Sequence, residues 1–174
     1  MTKIKSIALN LIQTKLVVKV SLFAIFLALA IFAPLLKIQL VTGSIVNALL
    51  FLSTIYLGLS AGLLISLLPS IFSLSTGLLP IPLASMIPFI IASNMLLVLS
   101  FNFLKNKNLL SSVILSSFLK FLFLYTTSSF VINFFIKKAL PAKIITMMMW
   151  PQLITALIGG LIAFIIIKKI RKEI

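Results

Sequence analysis

The sequence predicts an all-α membrane protein: a single integral membrane domain of six transmembrane helices over residues 1–174, with both termini on the cytoplasmic side. The hydrophobic fraction is 62%, far above the roughly 45–50% of soluble domains, and the mean hydropathy is +1.34. Apolar stretches of about 20 residues, the length that crosses a hydrocarbon core of about 30 Å, recur along the chain. The distribution of the basic residues supplies the orientation.

The six apolar stretches follow one another with short connections, at about 17–36, 43–58, 61–79, 84–104, 109–131 and 149–168. The second is the shortest and therefore the least secure complete crossing. Residues 1–16 fit a short amphipathic helix on the inner leaflet or a frayed tail, and both interpretations stay open. The basic start and the apolar run also imitate a cleaved signal peptide. The length of that run and the five spans after it favour a first transmembrane helix instead.

Basic residues are unevenly distributed between the two sides that this arrangement creates. Cytoplasmic flanks of membrane proteins carry the excess of Lys and Arg. With the N-terminus inside, ten basic residues lie inside, namely Lys3, Lys5, Lys15, Lys19, Lys105, Lys107, Lys168, Lys169, Arg171 and Lys172. Four lie outside, namely Lys37, Lys137, Lys138 and Lys143. An even number of spans keeps both basic termini inside, as six spans do.

The composition argues against most enzyme classes. There is no Cys and no His, so the common ligands of zinc, haem and iron–sulfur centres are missing and we predict no metal site. Glu173 is the single acidic residue, which excludes paired-carboxylate catalysis. Neither a phosphate-binding loop nor a dinucleotide fingerprint occurs. We expect no enzyme and no cofactor, and in a membrane protein the net charge of +14 does not indicate nucleic acid.

Lys120 is the most informative residue, because it lies in the middle of the apolar fifth span. The flanking segments 113–119 and 121–125 contain no carboxylate. A cation at this depth is costly and usually marks a pathway for a ligand or an ion. The lysine must be neutral, solvated by dipoles and water, or matched by an anion from outside. The third possibility predicts an anionic substrate.

Other polar side chains fall in the outer half of the predicted bundle. We expect a binding cavity open to the outside, in which Lys120 supplies charge and the first outer loop acts as a lid. The other candidates are Asn47, Asn94, Gln152 and Thr155 for hydrogen bonds, Tyr125 and Trp150 for stacking, and Gln39 and Thr42 in that loop. Each has a plainer interpretation: Asn94 as a link between helices, Trp150 and Tyr125 as interfacial aromatics, and Gln152 as the first turn after Pro151.

Small residues four apart form a second pattern, because such pairs let helices approach closely in lipid. Ala24 and Ala28 share one face of the first span. Pairs in the sixth span, with Gly159 and Gly160, fit internal packing. The pair in the first span fits either internal packing or contact with a partner protein.

The chain resembles the substrate-binding S component of an energy-coupling factor (ECF) transporter over about residues 17–168. The segments that carry the resemblance are VTGSIVNA at 41–48, MIPFIIASN at 86–94, LKFLF at 119–123 and WPQLITA at 150–156, together with Ala24 and Ala28. Many relatives have Gly before the Asn of helix four, whereas Ser93 stands here. The resemblance is to a poorly characterised branch of that superfamily.

The resemblance implies a six-helix S-component bundle in a prokaryotic cell membrane that captures a vitamin or other micronutrient at its outer face. It implies docking through Ala24 and Ala28 on a transmembrane coupling subunit that carries two ABC-type ATPases. Nickel and cobalt are unexpected, because the N-terminal His of the metal-binding members is missing. Our leading hypothesis is therefore an importer subunit for a small anionic organic solute. The alternative is a small membrane accessory protein without a ligand.

Overall fold

The computed structural model describes the backbone of residues 2–75, 84, 86–135 and 149–173, and side chains within these ranges from residue 13 on, except 129–135. Six α-helices occupy the described residues, and no strand occurs among them. Their bounds are α1 Thr2–Phe32, α2 Gln39–Tyr56, α3 Leu59–Ser75, α4 Ile87–Leu104, α5 Leu109–Phe135 and α6 Trp150–Glu173. The all-helical prediction is confirmed, and each predicted span corresponds to one helix.

The first helix runs without a break from Thr2 to Phe32. The boundary that we expected near residue 16, between an interfacial segment and the first span, does not occur along this helix. A 3₁₀ turn, Ala33–Leu36, follows at Pro34, where proline's missing N–H limits regular helix. Lys37 then takes a left-handed conformation with φ 56°, and the chain reverses into α2.

Helix α2 begins at Gln39, four residues before the predicted start of the second span. The expectation that Gln39 and Thr42 belong to an outer loop is therefore wrong, since both lie in the first turns of α2. The Thr42 hydroxyl donates to the Ala33 carbonyl at 3.0 Å, which fastens this turn of α2 to the 3₁₀ segment. Gly43 does not interrupt the helix, because the Thr155 side chain packs where a side chain at 43 would lie.

The described part of α3, which ends at Ser75, is the shortest of the α-helical segments, and the expectation that the second span is the shortest stays a prediction. This part of α3 has 17 residues and contains Pro69, whereas α2 has 18. The other five helices are long and apolar enough to cross a membrane. Residues 76–79, the predicted end of the third span, lie outside the described residues.

The core lies where α2, α4, α5 and α6 meet. Nine residues of α2 are buried, compared with five in α3, six in α4 and six in α6. Phe51 of α2 packs edge-on against Phe101 of α4, with ring centroids 4.8 Å apart. Gly159 of α6 faces the α2 backbone, so closely that an added Cβ would lie 2.5 Å from the Ser44 carbonyl oxygen. By contrast α1 is peripheral and exposes most of its apolar side chains.

Several contacts bring basic residues together at one end of the bundle. The Lys105 ammonium, after α4, donates to the Thr54 carbonyl near the end of α2 at 3.4 Å. Tyr56 of α2 lines a groove with Lys15 of α1, and Arg171 of α6 interacts electrostatically with Tyr56. We call this region the basic end, defined by Lys15, Lys19, Lys105, Lys107 and Arg171. By the distribution of Lys and Arg in membrane proteins, it is the predicted cytoplasmic side.

Candidate functional site

The Lys120 side chain lies at the junction of three helices. It is 3% exposed, and its ammonium donates to Asn47 Oδ1 of α2 and to Asn94 Oδ1 of α4, both at 2.6 Å. Such short distances are typical of charge-assisted hydrogen bonds. Lys120 and Asn94, which the sequence placed at a similar depth, are therefore in direct contact, and so is Asn47, although 73 and 26 positions separate the bonded pairs along the chain.

A fourth helix joins through Thr155. The Asn47 side-chain N–H donates to Thr155 Oγ1 of α6 at 3.4 Å, and the Thr155 hydroxyl donates to the Gln152 carbonyl at 3.1 Å. We call Lys120, Asn47, Asn94 and Thr155 the polar cluster. Asn47 uses its oxygen toward the lysine and its nitrogen toward the threonine, which determines the orientation of its amide.

Neutral dipoles surround the Lys120 nitrogen in this structure. It donates to two amide oxygens of the described residues, a set of contacts that both an ammonium and a neutral amine can make. Glu173 lies at the last position of α6 and does not reach the cluster. The role of Lys120 in binding an anion therefore stays a prediction.

Two buried serines next to Lys120 were not among the sequence-predicted site residues. Ser116 and Ser117 are fully buried, and neither hydroxyl has a hydrogen-bond partner. Serines in membrane helices commonly bond a carbonyl three or four residues earlier, as Ser93 does with Ile90 at 2.7 Å. Spacings of four and three residues put Ser116 and Ser117 on the lysine's side of α5. That spacing was the feature of the sequence from which the proximity of both serines to Lys120 could have been predicted.

We expect replacement of Ser116 and Ser117 by alanine, together, to leave thermal stability unchanged or slightly higher, because no hydrogen bond is lost. The comparison variant is Ser112→Ala one turn earlier, which removes a 2.6 Å bond to the Asn108 carbonyl and should cost about 0.5–1.5 kcal/mol. Thermal denaturation in detergent measures both. A larger loss for the double variant than for Ser112→Ala would contradict the unpaired state of the two hydroxyls.

The aromatic candidates form a separate group on the surface of α5 and α6. Phe121 stacks on Trp150 with centroids 5.2 Å apart and lies 5.8 Å from the Tyr125 ring. Trp150 is 64% exposed and Tyr125 42%. Phe121, which follows Lys120 directly, connects this group to the cluster. Both the stacking role and the interfacial role of these aromatics remain predictions.

The remaining candidates lie toward the end of the bundle opposite the basic end. Gln39 and Thr42 precede Asn47 on α2 by eight and five residues, or about 12 and 8 Å at 1.5 Å per residue. Gln152 reaches the cluster through its backbone carbonyl. The segments 76–83 and 136–148, which connect α3 to α4 and α5 to α6, lie outside the described residues.

Ala24 and Ala28, the candidate partner contacts, are both exposed on α1. The next small residue along, Ala30, is fully buried on another side of the helix. The face with Ala24 and Ala28 is thus directed away from the bundle and is open to lipid or protein.

Comparison with known proteins identifies the family. Residues 18–170, most of the chain, match the family described as ECF transporter, substrate-specific component. No curated protein and no solved structure matches the chain significantly. Members of this family are the substrate-binding subunits of ECF transporters, which work with a transmembrane subunit and ATPases, and they are not known as enzymes. On this match and on its helical architecture, the chain belongs to the family of ECF transporter substrate-specific components.

Proposed function

We propose that this chain captures a small organic anion from the outer side of a prokaryotic plasma membrane for import by an ECF transporter. The observation that carries the proposal is the polar cluster: the buried Lys120 nitrogen donates to two amide oxygens, and no carboxylate of the described residues contacts it. A buried charge without a counter-ion is costly. An acid group on the solute would provide the missing negative charge.

The neighbours of Lys120 suit the rest of such a solute. Asn47, Asn94 and Thr155 carry further donors and acceptors within the same cluster, and Gln152 lies one turn away on α6. Tyr125 and Trp150 offer exposed aromatic faces for a ring or an apolar part. Gln39 and Thr42 act from the first turns of α2 as part of the entrance, in place of a lid formed by a loop.

The depth of the cluster supports entry from the side opposite the basic end. Asn47 is the ninth residue of α2 and Thr155 the sixth of α6, so they lie about 12 and 8 Å below the starts of these helices. From Leu109, at the basic end of α5, Lys120 is 11 residues or about 16 Å away. On α6, Thr155 is thus much nearer the outer end than the basic end, which supports entry from outside.

The direct test is native mass spectrometry of the full chain, gently extracted from its own membrane. We expect a protein population with a tightly bound small molecule that contains an acid group. A bound neutral or cationic molecule would contradict the anionic solute. A population without any small molecule, in protein that also lacks partner subunits, would favour the accessory-protein alternative.

The predicted partner surface has its own test. We expect replacing Ala24 and Ala28 by leucine, together, to abolish co-purification with a coupling subunit and ATPases, because bulky side chains prevent close helix approach. The control is Leu161→Phe with Ile165→Phe, which enlarges exposed positions of α6 and should leave co-purification intact. Normal recovery of the ATPases with the α1 variant would contradict docking through this face.

A further inference from the structure

A groove at the basic end separates α1 from the end of α2. Its volume is about 600 Å³, and Lys15, Lys19 and Tyr56 contribute its polar groups. Leu16, Val18 and Leu22 of α1 provide an apolar wall. The groove therefore combines cationic side chains with a hydrocarbon surface, and it is far along the bundle from the polar cluster.

Tyr56 lines this groove, and its hydroxyl is an unpartnered polar group. The oxygen is buried, and it has no hydrogen-bond partner among the described residues. Leaving a buried hydroxyl unsatisfied is unfavourable, and tyrosine hydroxyls normally find a partner when buried. A ligand with an acceptor oxygen at this position would remove that cost.

The charged side chains that line the groove have the same sign. They are Lys15 and Lys19, and Arg171 of α6 belongs to the same basic end. Lys105 reaches the adjacent Thr54 carbonyl. The only acid of the chain, Glu173, follows Arg171 by two positions. The acceptor that suits the groove is therefore an anionic oxygen.

We propose that the groove is a binding site for one anionic phospholipid, with its phosphate at Lys15, Lys19 and the Tyr56 hydroxyl. Membrane surfaces on the cytoplasmic side attract such basic groups at about 1 kcal/mol per residue. The apolar wall of Leu16, Val18 and Leu22 faces an acyl chain, which a free phosphate lacks. The site does not depend on the solute at the polar cluster, so it stands whether or not the proposed transport function holds.

The experiment measures lipid retention by the full chain. Wild-type protein in neutral detergent is titrated with phosphatidylglycerol or phosphatidylcholine, and the bound fraction is read by native mass spectrometry. We expect one phosphatidylglycerol to bind in preference to phosphatidylcholine. The double variant Lys15→Gln with Lys19→Gln should lower phosphatidylglycerol affinity about tenfold or more, and Tyr56→Phe should lower it several-fold through one lost hydrogen bond.

The matched control removes the same charge outside the groove. Lys107→Gln with Lys169→Gln changes two exposed lysines and should keep affinity within about twofold of wild type, since screened surface charges contribute little. Equal losses in both double variants would overturn the site in favour of diffuse attraction. Displacement of phosphatidylglycerol by equimolar glycerol phosphate would overturn the lipid assignment and indicate a site for free phosphate. Unchanged phosphatidylglycerol affinity in Tyr56→Phe would contradict the contact between the Tyr56 hydroxyl and the phosphate.

Discussion

Replacing Lys120 by methionine should weaken binding of the proposed anionic solute by about 30-fold or more. Truncating one member of a buried charge pair costs about 2–5 kcal/mol, and 1.4 kcal/mol corresponds to a factor of ten. Methionine keeps the length of the side chain and removes the donor to Asn47 and Asn94. Native mass spectrometry of wild type and variant, at equal protein concentration, gives the two retained fractions.

The substitution also leaves the Asn47 and Asn94 oxygens without their donor, and each unsatisfied buried group costs about 1–3 kcal/mol, so we expect a lower melting temperature in a protein that still folds. Thermal denaturation of the solute-free variant checks this point. Lys107→Met is the control, since it removes a lysine from the exposed turn between α4 and α5. Retention equal to wild type in a folded Lys120→Met protein would contradict the role of the ammonium in binding.

Substituting alanine for Gly159 should produce the largest loss of stability among conservative changes. The added methyl group would lie 2.5 Å from the Ser44 carbonyl oxygen and 2.8 Å from the Ala48 nitrogen. Both are backbone atoms of α2, so the helices must separate. Overpacking of this kind costs about 1–3 kcal/mol. For a protein of this size we expect the melting temperature to fall by about 2–12 °C, measured in detergent.

Gly43→Ala is the informative comparison, because it adds the same methyl group at the same helix pair. The atoms nearest to its new carbon would be the Cβ and Cγ2 of Thr155, both at 2.9 Å, which is a longer distance than at Gly159 and does not involve backbone atoms, so a smaller shift of α6 relieves it. We expect a smaller loss of melting temperature but weaker solute retention, since Thr155 belongs to the polar cluster. A Gly159→Ala protein that melts like wild type would show that α2 and α6 are not in close contact.

Composition was enough to predict the fold class, and Lys120 was enough to predict the centre of the site. A lysine among apolar residues can be stabilised only by polar groups from neighbouring helices, so Asn94, the amide predicted at the same depth, was identifiable as a neighbour. Asn47, which was predicted nearer the outer end, contacts Lys120 as well, and the role of both amides in binding stays a prediction. The Thr155 contact was also accessible, because Thr155 is polar and near the start of its helix.

Helix starts and unpaired hydroxyls were harder to predict. Glycine destabilises a helix interior, so Gly43 was predicted to end the first outer loop. In the structure α2 continues through Gly43, where it packs against Thr155. The early start of α2, at Gln39 rather than 43, places Asn47 about one turn deeper than expected. Ser116 and Ser117 were passed over because serine usually bonds its own helix backbone. The structure shows that the hydroxyls of Ser116 and Ser117 make no such bond.

The unbroken course of α1 has a consequence for how the chain sits in a bilayer. Its 31 residues correspond to a rod of about 46 Å, while the hydrocarbon layer is about 30 Å thick. At the average inclination of about 20°, a length of about 13 Å extends beyond the oily layer. This helix therefore reaches through the headgroup layer. A force applied to its protruding end is transmitted along α1 to the helices that it contacts.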